Sequence, residues 1–535
     1  MTIYWPDPPL AASTEPGNTG LAFQVPDEVL QRHNARVLQP ATAAEGAAGP
    51  ALQPTAYVAN VLLIPFELRG AEQALNSLLQ PVNMTIEPMV GDPDLPQLAV
   101  PVVLRPVPGP VPVQVDAWTA LQAIRANSTL GPRIGLDHLM FASPLTWDLG
   151  GAPGAIQGFA PPFGAASPVT DGYLDGPVVL EMPPLAPKPV TELKLGRRPV
   201  VAVLDTGIGH NSWLKIDPLD ALQPMSSWQT GHVVVDDSVQ AAVENASLSQ
   251  KGFSGEVIRH AKDQPLTRNP FIGTQDWCFG HGLFCAGVIK QIAPDSTVLA
   301  IRVMGSDGVA RESAVLAALQ GLVTRVNGAF RSGDMTEMVD VVSLSMGFLF
   351  ERSEAEERTS PLAVQIGLLR ERGVLVTAAI GNSASNRRFF PACLSTLADT
   401  LTTPPVVSVG ALNPNGSIAL FTNETPTCYA SGVNVISTFP QDANASRQPL
   451  VQVPAANRPG LPPFRQTPDV DDHTHSPFAV WTGTSFATPH IAAHLAKALQ
   501  DMQSVGTTAD EKQEQATIRA ARAVDVVRKA AQLSP

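Results

Sequence analysis

From Pro199 onward the chain alternates short, almost uninterrupted runs of Val, Ile, Leu and Ala with amphipathic stretches. The runs are VVAVLD (200–205), TVLAIRV (297–303), VDVVSLS (339–345), VLVTAAI (374–380) and PVVSVGA (405–411). Helical spacing follows around Gly282 to Ile292, Glu312 to Asn327 and Leu362 to Arg372. A strand apolar at every position must be covered on both faces, and helices between successive strands supply that cover. The expectation is an α/β fold with a doubly wound, mostly parallel sheet. Such sheets gather ligands at the carboxyl ends of their strands, where Asp205, Ser345 and Gly381 fall in this sequence.

The part before residue 191 is different, since it holds 29 of the 51 prolines and so reads as extended or linker structure. Residues 1–53 are Pro/Ala-rich without sustained periodicity and are expected to be irregular. Residues 54–143 show a pattern: strand candidates at 57–64, 82–86, 98–104 and 134–141, with helices at 71–80 and 116–125. Pro101 suggests an edge for the third strand. The order βαββαβ predicts a smaller ferredoxin-like α+β domain. Residues 144–195 read as a Pro/Gly-rich linker, and 196–535 as the large domain with C-terminal helices.

Charged residues make up 16% of the chain and the net charge is −13, with no basic run to neutralise phosphates; this argues against a nucleic-acid partner. No apolar stretch is long enough to span a bilayer, and the start MTIYWPDPPL lacks the pattern of a signal peptide, so a cytoplasmic protein with no membrane partner is expected. Cys278, Cys285, Cys393 and Cys428 are too few for a disulfide framework. They are expected to be buried thiols, although Cys278 and Cys285 bracket His281 and also admit a redox reading.

Four polar positions stand where chemistry is expected. Asp205 closes its strand and precedes Thr-Gly-Ile-Gly; the bland reading is a turn. His281 lies between two glycines at the start of an apolar helix and, as a base, needs a carboxylate to fix its tautomer; otherwise it is a cap. Ser485, in GTSFATPH, sits at a helix N-terminus where positive potential favours a developing oxyanion. A plain N-cap would explain neither the preceding Gly-Thr nor the Pro-His inside the helix. Asn382 follows a strand in AAIGN and is either an amide donor or a turn residue.

Together DTG, GHG, SLSMG, AAIGN and GTSFATPH stand in the order in which subtilases carry their motifs, and residues 196 to 505 resemble a subtilase catalytic domain. The order Asp, His, Ser separates this pattern from chymotrypsin-like proteases and α/β-hydrolases. The resemblance implies a serine endopeptidase acting on peptide or protein substrates and needing no cofactor for its chemistry. Ser485 would be the nucleophile, His281 the base and acid, Asp205 the orienter, and Asn382 an oxyanion donor. Ser345, Met346 and Gly347 would pair with substrate backbone, and Gly381 would line the side-chain pocket. Phe486 stands where a methionine is usual, and Cys285 where a small or hydroxyl residue is usual.

The resemblance also implies structural calcium, which many relatives carry; no site is assigned, and Asp471, Asp472, His473 and His475 form one further metal candidate. The segments 211–276 and 439–478 are expected to be loops around the cleft. By position, residues 54–143 resemble a propeptide that assists folding and blocks the cleft, with a permanent recognition module as the competing reading. A peptide ligase or macrocyclase, or a noncatalytic binding protein on the same scaffold, are the functional alternatives.

Overall fold

The structure is a computed structural model and describes residues 3–6, 25–38, 53–90, 99–110, 114–127, 130–142, 174–216, 229–248, 257–263, 267–269, 274–351, 354–396, 403–441, 452–454, 464–466, 476–502 and 509–532. Its centre is an eight-stranded sheet. From one edge the order is Ile3–Tyr4, Cys428–Ser431, Val406–Leu412, Leu375–Ala379, Val341–Leu344, Val200–Asp205, Thr297–Arg302 and Val233–Val235. All pairs are parallel except the outermost, where Ile3 lies antiparallel to Ala430. The strand order reverses at Val200–Asp205, the first of the five apolar runs, so the fold is a doubly wound α/β sheet whose switch point opens beside Asp205.

Side-chain alternation on these strands explains why they are apolar throughout. Val200, Ala202 and Leu204 face a core shared with the Glu312–Ser332 and Pro361–Arg370 helices. Val201 and Val203 face the opposite core, with the His281–Ile292 and Thr484–Gln500 helices. The C-terminal helix Ala509–Gln532 adds Ala520, Ala523 and Val524 to that second core.

A second sheet runs Met84–Ile86, Ala99–Pro106, Thr55–Pro65, Gly135–Ala142 and then on into Met346–Leu349 and Phe389–Phe390 of the large domain. The helices Glu72–Leu79 and Ala117–Asn127 cover one face of its first four strands, around Leu62, Ile64, Leu104 and Leu136. Other residues of these strands pack on the large domain: Leu63, Met140 and Ala142 in its main core, Val61, Leu139 and Phe141 against Val309, Leu349 and Phe389. Residues 55–65 are therefore buried at almost every position.

Several details differ from the sequence reading. Pro101 lies on an interior strand, where it is tolerated because the neighbouring Met84–Ile86 strand pairs only with residues 104–106 and leaves Pro101 with one partner strand, at Leu63. Residues 25–38 are not irregular: helix Asp27–Arg32, with Asp27 and Glu28 favourably placed in its first turn, leads into strand Ala35–Leu38, paired with Thr55–Val58. The segment 211–276 contributes strand Val233–Val235 and helix Asp237–Leu248 to the body of the fold, not only loops. Within 144–195, Leu174–Val178 pairs with Phe478–Trp481. Residues 144–173 and the metal candidate at 471–475 lie outside the described residues. Among the described residues no helix is long and apolar enough to cross a membrane.

Candidate active site

Asp205 ends its strand with the carboxylate buried. Its Oδ1 accepts from the Thr206 amide at 2.7 Å and meets His281 Nδ1 at 2.6 Å. A carboxylate held this way accepts, so Nδ1 carries the imidazole proton and Nε2 presents its lone pair. Nε2 is buried and has no hydrogen-bond partner among the described residues. An imidazole oriented on one side and unoccupied on the other is the arrangement a general base requires.

His281 is fixed from behind by Thr206, whose Oγ1 accepts from the Gly282 amide at 3.0 Å and so satisfies one of the free N–H groups of the helix start. Gly282 has no alternative, because a Cβ there would lie 2.6 Å from the Gly207 carbonyl and 3.1 Å from Asp205 Cβ. Phe486 and Trp481 wall the ring, with centroids at 5.1 and 5.5 Å. The aromatic substitution at 486 therefore packs against the imidazole.

Ser485 stands in the first turn of the Thr484–Gln500 helix, fully buried. Its hydroxyl donates to the Ser345 carbonyl at 3.0 Å, and the Ser345 hydroxyl donates back to the Ser485 carbonyl at 2.8 Å. Cys285 Sγ lies 3.7 Å from that same carbonyl and 3.8 Å from Ser345 Oγ. Burial and the neighbouring Asp205 hold the Cys285 thiol well above its ordinary range, so it is a neutral packing group here. All four cysteines are free and buried. His490 bonds the Phe486 carbonyl at 2.7 Å, and burial lowers it to about 4; it is a neutral structural group one turn from the site.

Asn382 completes the cluster. Its Oδ1 accepts from the Thr484 amide at 3.0 Å and the Thr484 hydroxyl at 2.8 Å. A backbone amide can only donate, which fixes the side-chain assignment and leaves Nδ2 as the outward group. That amide nitrogen is buried with no partner among the described residues. An unmet buried donor costs about 1–3 kcal/mol, a sum a fold tolerates where the donor is used by something else.

The loop carrying Asn382 is pinned by Asn423, which sequence reasoning missed. Asn423 Nδ2 donates to the Ile380 carbonyl at 2.9 Å, and its Oδ1 accepts from the Ser383 and Ser385 amides at 2.8 and 3.2 Å. Gly381, at φ +104°, could not carry a side chain beside it: a Cβ would sit 2.4 Å from Asn423 Nδ2. Met346 and Gly347 stand opposite Ala142 and Phe141 in antiparallel register, and the Ala142 amide donates to the Gly308 carbonyl at 2.8 Å. On its other side the Gly135–Ala142 strand pairs with Val309–Arg311. It thus lies between two strands of the large domain.

One further cluster escaped the sequence entirely. His138, fully buried on that inserted strand, meets Glu312 through Nδ1 at 2.6 Å and Glu351 through Nε2 at 2.7 Å, and stacks on Phe348 at 4.4 Å. Burial alone would lower the imidazole's pKa, but Glu351 and Glu312 raise it to about 9. Among the described residues, three carboxylate, imidazole or thiol groups approach closely enough to share a metal ion only at Asp205, His281 and Cys285. That set does not suit a cation, since its imidazole nitrogen is already committed to the carboxylate and its thiol is held protonated.

A family model described as the subtilase family matches residues 196–532. Subtilisin BL of Lederbergia lenta is 26% identical over 228 residues, 41% of this chain and 62% of that protein. The subtilisin-like proteinase Mp1 of Magnaporthiopsis poae is 26% identical over 240 residues, 43% of this chain and 47% of that protein. The chain thus spans less than two thirds of the length of these relatives. Fervidolysin of Fervidobacterium pennivorans, a keratinolytic enzyme related to subtilisin, aligns in structure with a TM-score of 0.42 and 17% identity, over 83% of this chain and 55% of that one. With a family match over well more than half of its length, the chain belongs to the subtilase family.

Proposed function

We propose that the chain is a serine endopeptidase that cleaves peptide bonds through an acyl-enzyme on Ser485. The observation that carries this reading is a pair of buried groups with no hydrogen-bond partner among the described residues, His281 Nε2, an acceptor, and Asn382 Nδ2, a donor, on side chains that touch the two neighbours of Ser485, Phe486 and Thr484. Ser485 turns from the Ser345 carbonyl to His281, which takes its proton at Nε2 while Asp205 steadies the imidazolium. The hydroxyl oxygen attacks the substrate carbonyl, and the oxyanion is met by Asn382 Nδ2 and the Ser485 amide. His281 then returns the proton to the leaving amine, and water repeats the sequence on the ester. No metal is needed at any step. Four free, buried thiols support work in a reducing compartment.

Residues 54–143 act in this reading as an intramolecular inhibitor. Support comes from the Gly135–Ala142 strand, which occupies the place between Val309–Arg311 and Met346–Leu349 where a substrate strand would add. Continued one residue further, that register leads to Ser345, whose carbonyl holds the Ser485 hydroxyl. Purified full-length chain is expected to cut itself between residues 143 and 199, read by N-terminal sequencing, and Ser485→Ala is expected to remain whole. An uncut active chain, with activity unchanged by deletion of residues 1–143, contradicts the inhibitor role. Cyclic or spliced products in place of hydrolysis would mark a ligase.

The inhibitor contact carries a pH dependence. The groups facing His138 are Glu312 and Glu351, with Arg125 3.6 Å from Glu351. Its pKa is raised by docking, so the contribution is fully present below about 6.5, falls as pH rises, and is lost above about 9. Its size is on the order of 3 kcal/mol. Apolar burial of Leu63, Leu139, Met140 and Phe141, at about 1.5–3 kcal/mol per side chain, outweighs it, so alkali should loosen the contact without releasing it. In an uncut Ser485→Ala chain, the urea midpoint is expected to fall between pH 6.5 and 9, and to fall much less when His138→Gln is added.

A further inference from the structure

The large domain's surface beneath residues 25–142 holds buried carboxylates, and each is met by a basic side chain from the N-terminal part. Glu312 and Glu351 close on His138, with Arg125 beside Glu351. Further along the same groove, next to Gly308, Asp307 meets His33 at 2.8 Å and Arg32 at 3.2 Å, and Arg32 also reaches Asp276. Asp137 is the one acid carried by the inserted strand here, and it turns to the amide and hydroxyl of Ser313, at 2.9 and 2.8 Å.

The fit at His138 is incomplete in an informative way. Glu312 Oε1 is buried with no hydrogen-bond partner among the described residues, because an imidazole offers Glu312 a single N–H. A guanidinium offers a planar fork of donors and could engage both oxygens of a carboxylate. Glu312 also stands in the first turn of the Glu312–Ser332 helix, and Glu351 follows the Met346–Leu349 strand, so the two carboxylates are mounted on the two walls of the groove.

We propose that Glu312 and Glu351 form an acidic subsite that selects a basic side chain, arginine above all, in the substrate. This deepens the endopeptidase reading and rests on it: once the Gly135–Ala142 strand has left, a substrate strand takes the same register and places a side chain where His138 was. That position is four residues upstream of the place of Ala142, and the register carries the scissile bond beyond that place. The departing segment removes His138, Arg125, Arg32 and His33 together, leaving the pairs Glu312 and Glu351, and Asp276 and Asp307, with Arg311 as the large domain's own cation near them. Carboxylates set close together on the walls of a cleft favour a cation there.

The test uses full-length chain after self-processing, with fluorogenic peptides in which one arginine is moved along the sequence and compared at each place with citrulline, its neutral near-isostere. Arginine is expected to raise kcat/KM at least tenfold over citrulline at a single upstream position, at least five residues before the scissile bond, chiefly through KM. Glu312→Gln with Glu351→Gln should bring that ratio close to one. Cleavage with no charge preference at any such position overturns the subsite and leaves the peptidase standing. A chain that takes a fluorophosphonate label but cleaves neither peptide series, with residues 54–143 still in place, overturns the displacement on which the subsite depends. A chain that neither labels nor cleaves overturns the peptidase reading itself. The arginine–citrulline comparison is made on the native chain, so it does not depend on the double variant folding.

Discussion

Ser485→Ala should reduce turnover by roughly 10⁶-fold, the scale established for the nucleophile of subtilisin itself rather than one derived from this chain. The fold should hardly notice. The change deletes one hydroxyl and its bond to the Ser345 carbonyl, worth about 1 kcal/mol. The reverse bond, from the Ser345 hydroxyl to the Ser485 carbonyl, uses backbone on the 485 side and survives. A large activity loss with only a small fall in the urea midpoint therefore separates chemistry from folding. A variant that keeps even a tenth of native turnover would place the nucleophile elsewhere.

The second large effect concerns Asn382. If Nδ2 meets the oxyanion, its removal should lower kcat by about 10² to 10³ with little change in KM, because the charge exists only in the transition state; the range is that of subtilisin's own oxyanion asparagine. Asn382→Ala confounds this with structure, since Oδ1 also holds the Thr484 amide and hydroxyl. Stranding that buried amide would cost about 1–3 kcal/mol. Asn382→Asp keeps an acceptor for Thr484 and replaces the donor with another acceptor aimed at the oxyanion. The aspartate variant is thus expected to be at least as inactive as the alanine variant while losing less stability. A KM effect of the same size in both would identify Asn382 with ground-state binding instead.

What could be read from the sequence follows how local the cause is. The runs 200–205, 297–303 and 374–380 were legible because a strand covered on both faces must be apolar at each position. The polar residues that end or follow such runs, Asp205 and Asn382, were visible by contrast. Strands Val233–Val235 and Cys428–Ser431 were not, being short and flanked by polar residues; their neighbours in the sheet define them. Pro101 misled because a proline marks a missing donor, and only the length of the neighbouring strand decides whether that donor was needed. The Asn423 clamp and the His138 triad had no local signal at all. His138 lies 174 residues from Glu312 and 213 from Glu351, and a lone histidine in an apolar run reads as core.

This separation also bears on how the chain is built. Its parallel sheet and inserted N-terminal strand depend on pairings far apart in sequence, which are slow to form because loop closure precedes the contacts that stabilise it. A segment that docks between two strands of the large domain, burying Met140 and Ala142 in that domain's own core, supplies contacts that a chain without residues 54–143 would lack while folding. In the proposed inhibitor role the same contacts then cover the cleft.

We propose that the hydroxyl of Ser485, alone among the serines, is poised for attack beside His281 and Asn382, and the mechanism rests on this placement. It is tested most directly by treating self-processed chain with a fluorophosphonate and locating the adduct by peptide mass spectrometry. One adduct is expected, on Ser485, absent from Ser485→Ala and strongly slowed in His281→Ala. Equal labelling of the native and Ser485→Ala chains, or an adduct on any other residue, would contradict it.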